Sequence, residues 1–261
     1  MLPMSSAADI NDRGDIVGGR VIDGTRFVVL LTSEGKQLLI RKEGRRDIVP
    51  IAINETRWVT GWVDYPGRGI APFVWKGGGE VIDIGYTSGP PTNNSQGLEI
   101  NESNMIVGNE RGPDYPFYGW VWTERDGLRR VFSLHFSYMT HVNDLGQWLT
   151  APWRPRSARG MGWGVYDRID GEPLRNYPGF ELFKINNRGE VLAFNSSDRS
   201  YWLLTEKESF RIQDRVLSKE WRASGSVDLN NRGQMIGGGT YLPTGRSYVV
   251  LLTPVEARPQ P

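Results

Sequence analysis

Six times along the chain an aliphatic residue is followed by asparagine and a polar turn. The copies are Ile10-Asn11-Asp12-Arg13-Gly14, Ile53-Asn54-Glu55-Thr56-Arg57, Ile100-Asn101-Glu102-Ser103-Asn104, Val142-Asn143-Asp144-Leu145-Gly146, Ile185-Asn186-Asn187-Arg188-Gly189 and Leu229-Asn230-Asn231-Arg232-Gly233. The asparagines stand 43, 47, 42, 43 and 44 residues apart, and the chain holds only 14 of them in 261 residues, so the recurrence is not chance. A fixed period of this size marks a repeat architecture and decides the fold before any single segment is considered. Two polar residues followed by one at positive φ make a three-residue hairpin loop with a bulge. Gly14, Gly146, Gly189 and Gly233 fill the last slot, Asn104 substitutes for glycine in the third copy, and Arg57 breaks the rule in the second. Four residues further on, Gly18, Gly61, Gly108, Thr150, Ala193 and Gly237 are all small, as a close approach of neighbouring backbone requires.

Behind each turn follow a strand, a variable loop, a second strand rich in β-branched and aromatic residues, a turn and a third strand. The middle one recurs as Arg26 to Thr32, Pro72-Phe73-Val74-Trp75, Gly119-Trp120-Val121-Trp122, Gly162 to Tyr166, Ser200 to Leu204 and Ser247 to Leu252. With the short strand before each asparagine this makes four strands per copy, and no segment shows helical apolar spacing. Four-stranded units of about 40 to 45 residues are the size of propeller blades. The expected fold is therefore all-β, a six-bladed β-propeller in one domain over residues 1–261, with blades at 5–45, 46–85, 94–134, 135–178, 179–217 and 224–255. A linear solenoid would need polar caps, and the end copies resemble the others. The tail after Leu252 carries three prolines, so the last blade is expected to have a short or missing outer strand. The tryptophans at 75, 120, 122, 163 and 202 fall at equivalent strand positions and read as core between blades.

Composition narrows the function. Lys plus Arg number 31 against 30 Asp plus Glu, a formal net charge of +1, which argues against nucleic acid as a partner. Cysteine is absent and histidine occurs twice, so disulfides, thiolate zinc and a three-histidine metal site are excluded. No apolar run reaches the roughly 20 residues of a membrane helix, and the start of the chain has neither the basic nor the apolar region of a secretory signal. No phosphate loop, nucleophile elbow or His-Glu-x-x-His helix is present. No metal or cofactor is expected, and the chain is read as a monomer.

The repeat resembles that of the HAF-repeat family, in which an aliphatic-Asn-Asn/Asp-x-Gly turn leads to a glycine-ended strand and then to an Ala-Phe-aliphatic-Trp step. Ile10 to Gly18 and Ala71-Pro72-Phe73-Val74-Trp75-Lys76-Gly77 carry the likeness best. The resemblance implies an extracellular repeat protein and an architecture; it brings no catalytic residues. The Ala-Phe step is absent from most copies.

Two sets of residues could carry chemistry. The loops between second and third strands hold Arg20 and Arg26, Arg68, Arg111, Arg154 with Arg156 and Arg159, Arg199 and Arg246, and Arg outnumbers Lys 25 to 6. Guanidinium forks recognise carboxylate, sulfate or phosphate. Tyr65, Tyr115, Trp153 and Trp221 place aromatic faces in the same loops, which suits a glycan or a protein partner. Local pairing of each arginine with an aspartate of its own loop is the plainer explanation. The second set lies two residues before each repeated asparagine: Asp9, Ala52, Glu99, His141, Lys184 and Asp228. Repeat symmetry puts these near the axis, as a polar ring that either pairs internally or takes a small ligand. The expected function is a rigid recognition module. An enzyme is the rival, either a lyase using Tyr138 and His141 beside the arginines at 154 to 159 or a hydrolase using Glu99, Asp228 or Asp9 as its carboxylates. A structural repeat module without a ligand is the third reading.

Overall fold

The structure is a computed structural model that describes residues 4–45, 47–87, 94–111, 117–131, 137–152, 163–167, 169 and 173–255. The strands fall into successive antiparallel units. The first comprises β1 (Ser6–Ile10), β2 (Ile16–Ile22), β3 (Thr25–Leu31) and β4 (Gln37–Ile40); the second comprises β5 (Ile48–Ile53), β6 (Trp58–Tyr65), β7 (Gly69–Lys76) and β8 (Ile82–Asp83). The third comprises β9 (Asn94–Ile100), β10 (Ile106–Arg111), β11 (Phe117–Thr123) and β12 (Gly127–Arg130); the fourth comprises β13 (Ser137–Val142), β14 (Trp148–Pro152), β15 (Trp163–Tyr166) and β16 (Arg175–Tyr177). A single parallel bridge, Tyr118 to Ser137, joins these two. The fifth holds β17 (Phe180–Ile185), β18 (Val191–Asn195), β19 (Ser200–Leu204) and β20 (Ser209–Arg211), followed by one helical turn, α1 (Ile212–Arg215). The sixth has three described strands, β21 (Trp221–Leu229), β22 (Met235–Tyr241) and β23 (Arg246–Leu252), and lacks the outer one among the described residues.

The turn after each first strand forms as its sequence predicts. Gly14, Gly146, Gly189 and Gly233 have φ between 70° and 82°, Asn104 has 61°, and Arg57 adopts the same conformation at 65°. A non-glycine residue is held there only when its surroundings over-determine it. Arg57 is so held, donating from Nε and Nη2 to the two carboxylate oxygens of buried Asp15 in the preceding unit, at 2.8 and 3.0 Å.

A feature the sequence does not announce sits just before each asparagine. The pairing of first and second strands skips a residue between Ala7 and Asp9, Pro50 and Ala52, Gly97 and Glu99, Leu182 and Lys184, and Ser226 and Asp228; the fourth unit shows the same irregularity between Met139 and Val142. A bulge adds one residue, bends the strand and re-aims the side chain that follows it. The small residue opposite is a consequence: a Cβ on Gly61 would lie 2.0 Å from the carbonyl oxygen of Val49.

Consecutive units pack face to face through apolar clusters. Val17, Val28 and Leu30 of the first meet Ile53, Val59 and Phe73 of the second, and Val74 of the second meets Ile100 and Trp120 of the third. Val107 and Val121 then meet Val142 and Trp148, Leu149 and Val165 meet Ile185 and Val191, and Leu192 and Leu203 meet Leu229 and Met235. Trp75, Trp120 and Trp122 lie buried in these seams.

Candidate axial site

The six repeated asparagines build the floor of a shared cleft. Each side-chain oxygen accepts the backbone N–H four residues on, from Asp15, Trp58, Met105, Gln147, Glu190 and Gln234, at 2.8 to 3.0 Å. The amide nitrogens of the first five donate sideways to the carbonyl of the next repeated asparagine, at 3.1, 3.0, 2.9, 2.9 and 3.0 Å. Only a side chain with both a carbonyl and an amino group can hold its own turn and clasp the next unit, so the repeat demands asparagine. A second ladder runs beside it: the backbone N–H groups of Asp12, Glu55, Glu102, Asp144 and Asn187 donate to the side chains of Glu55, Glu102, Asp144, Asn187 and Asn231. Its sequence signal was available, since the residue after the asparagine is Asp, Glu or Asn in every copy.

These turns and the ends of the first strands enclose a cleft of about 550 Å³ to which all six units contribute. Its wall carries the carboxylates of Asp9, Asp12, Glu55, Glu99, Glu102, Asp144 and Asp228, against the cations of Lys184 and Arg232. The bulges aim the axial residues inward. Glu99 accepts from His141 Nδ1 at 2.7 Å and pairs with Lys184 at 3.5 Å, and Lys184 reaches Asp228 at 3.8 Å. Ala52, at the same repeat position, is buried in the seam between second and third units. Burial works to push the Glu99 carboxyl up, but Lys184 and His141 outweigh it and hold the group below the usual carboxylate range. Burial likewise opposes the charge on Lys184, and Glu99, Asp228 and Asp9 together raise its pKa. Among the described residues no cation is bonded to Asp9. Burial, reinforced by repulsion from Glu99, lifts it to about 6 despite the backbone N–H groups of Ile53 and Ile10 that it accepts. Among the described residues no cluster of three or more His, Asp or Glu is placed to hold a metal ion.

The arginine-bearing loops lie at the other end of the sheets. In an antiparallel unit the turn after the first strand and the loop after the second fall at opposite ends, so the cleft mouth and the arginine rim are on opposite faces. Arg26 pairs with Asp47 at 3.6 Å, and Arg111 is half-buried and engaged with neighbours. The Tyr65 hydroxyl donates to Asp83 at 2.5 Å while Arg45 lies 4.1 Å over its ring; burial and Asp83 push that hydroxyl's pKa up. Trp221 packs on Tyr241 and Tyr248, with ring centres 5.1 and 5.7 Å away. Arg68 is exposed. Tyr115, Trp153, Arg154, Arg156 and Arg159 lie outside the described residues, as does the side chain of Tyr138.

Among the described residues no helix is long and apolar enough to cross a membrane. No family model and no curated protein matches the chain, so the likeness to the HAF repeat stands on the quoted residues alone. Similar folds are found among solved structures. A prolyl endopeptidase shares 11% identity at a TM-score of 0.57 over 97% of this chain and 42% of its own. Puromycin hydrolase shares 10% at 0.53 over 95% of this chain and 47% of its own, and TolB from Acinetobacter baumannii shares 12% at 0.47 over 80% and 56%. The chain thus spans about half, or less, of the length of these neighbours. At such identities the likeness speaks for fold alone: this is an all-β chain, built mostly of antiparallel four-stranded sheets, with propeller-like neighbours among solved structures.

Proposed function

We propose that the chain is a six-bladed β-propeller, one domain, working as a rigid recognition module for a protein partner that places a cationic group in the axial cleft. The carrying observation is the charge of a shared, walled cleft: seven carboxylates line it, and of its two cations Lys184 is already committed to Glu99 and Asp228. Carboxylates held in place by backbone N–H groups cannot turn away, so a guanidinium or ammonium entering the cleft meets acceptors that need no reordering. An anionic glycan would be repelled at this mouth. It would have to use the opposite face, where Tyr65 and Trp221 are occupied by neighbouring side chains. Glu99 is poorly suited to act as a general acid, because the ion pairs that keep it ionised deprive it of the proton such a group must give.

A fluorescein-labelled hexa-arginine peptide and its hexa-glutamate counterpart, measured by anisotropy at low and at physiological salt, test the proposal. The arginine peptide is expected to bind, and Asp12→Asn with Asp228→Asn to weaken it by about tenfold, or roughly 1.4 kcal/mol. Equal binding by the double variant, or preference for the glutamate peptide, refutes the cationic partner.

A further inference from the structure

Five seams join six units, and the faces for a sixth are present and, among the described residues, unfilled. The aliphatic residue before the asparagine is 3% to 7% exposed at Ile53, Ile100, Val142, Ile185 and Leu229, but 60% exposed at Ile10. The second- and third-strand pair that faces the following unit is buried in the first five units, as at Val107 with Val121 and Leu149 with Val165. In the sixth, its counterparts Ile236 and Leu251 are 43% and 63% exposed. Among the described residues no apolar cluster joins the sixth unit to the first.

The hydrogen-bond ladders stop at the same place. Asn230 turns its amide to Gln234 of its own turn instead of to a following unit, and among the described residues the Asn231 N–H has no partner. On the other side, the Asn11 carbonyl accepts, among the described residues, only within its turn, where Asn54, Asn101, Asn143, Asn186 and Asn230 each also receive an amide from the preceding unit. Among the described residues the Asp12 carboxylate likewise lacks the lateral N–H that its equivalents accept. Donors end one side and matching acceptors begin the other, each beside an aliphatic half-seam, and both sides line the same cleft.

We propose that the sixth and first units are the two leaves of a gate in the ring wall. They close on each other through the seam that joins every other pair: Ile10 against Ile236 and Leu251, Asn230 amide to Asn11 carbonyl, Asn231 N–H to Asp12. Open, the gate admits a partner sideways into the axial cleft; closed, it completes the ring. The gate rests on the ring reading above but not on the identity of the ligand.

The absence of cysteine makes the test direct. Ile236 and Ile10 hold the positions that Val107 and Val142, Leu149 and Ile185, and Leu192 and Leu229 hold within single clusters. In the full chain, Ile10→Cys with Ile236→Cys is expected to give a disulfide within one chain under mild oxidation. Alone, Ile10→Cys is expected to be alkylated about tenfold more slowly than Leu217→Cys, as for a gate closed roughly nine-tenths of the time; Leu217 is 79% exposed and belongs to none of the apolar clusters between units. A disulfide between two chains would make a second copy the occupant and overturn the proposal. Thiols that stay separate and react as fast at position 10 as at 217 would overturn it too. Neither result bears on whether hexa-arginine binds, so gate and ligand fail separately.

Discussion

At the scale of the residue, the repeated asparagine is the joint of the molecule. Asn54 is 1% exposed, holds the Trp58 N–H and donates to the Asn101 carbonyl. Replacing it by alanine leaves the half-buried Trp58 N–H without its acceptor, at about 1 to 3 kcal/mol, and takes from the Asn101 carbonyl one of its two donors, the Asn104 N–H remaining, at about 1 kcal/mol more. Asn54→Ala is therefore expected to lower stability by about 2 to 4 kcal/mol in urea unfolding. Asn230→Ala is expected to cost less than about 1 kcal/mol, because that residue is exposed and makes no lateral bond. Equal losses would mean that the ladder carries no special weight. The asparagine itself was plain in the sequence, its double duty was not, because the second bond goes to a residue more than 40 positions away. Arg57 teaches the same point: it looks like an exception to the turn rule until Asp15 is placed beside it.

At the scale of the element, the first hairpin of each unit is bent by its bulge, and the bend works only if the facing residue is small. Gly61 approaches the Val49 carbonyl so closely that any Cβ overlaps backbone that cannot move aside. Gly61→Ala is expected to destabilise by about 1 to 3 kcal/mol, the range of overpacked core sites, with a matching fall in the urea midpoint. A cost below about 1 kcal/mol would show that the strand can flatten. The row of small residues was legible and correctly signalled close approach. The bulge was not, since a skipped pairing leaves no composition signal in a strand such as Ile48–Ile53.

At the scale of the whole molecule, the cleft gathers charge from units distant in sequence, and Asp9 records it. Its neighbours are the Ile53 N–H of the second unit, Glu99 of the third and Lys184 of the fifth. Because the folded pKa is raised from 3.8 to about 6, the native state holds the proton more tightly than the unfolded chain between those values. Stability from this group is thus fullest below about pH 4 and declines as pH rises towards 6. Water in the cleft screens the effect, so the loss is about 1 to 2 kcal/mol rather than the roughly 3 of a dry site. Unfolding of the parent and of Asp9→Asn, compared at pH 4 and pH 7, is expected to differ in slope by that amount. The reverse slope would mean that Asp9 is held ionised.

The amino-acid sequence by itself determined the period, the turns, the run of short strands and the small residue opposite each bulge, because each is a local pattern of side-chain size, branching and backbone freedom. The face on which the cleft opens, its acidic wall, the pairing of Glu99 with both His141 and Lys184, and the unfilled seam between last and first units were decided only in three dimensions. Those features join residues from separate units through hydrogen bonds and Coulomb forces, and such forces depend on distances that no spacing along the chain contains.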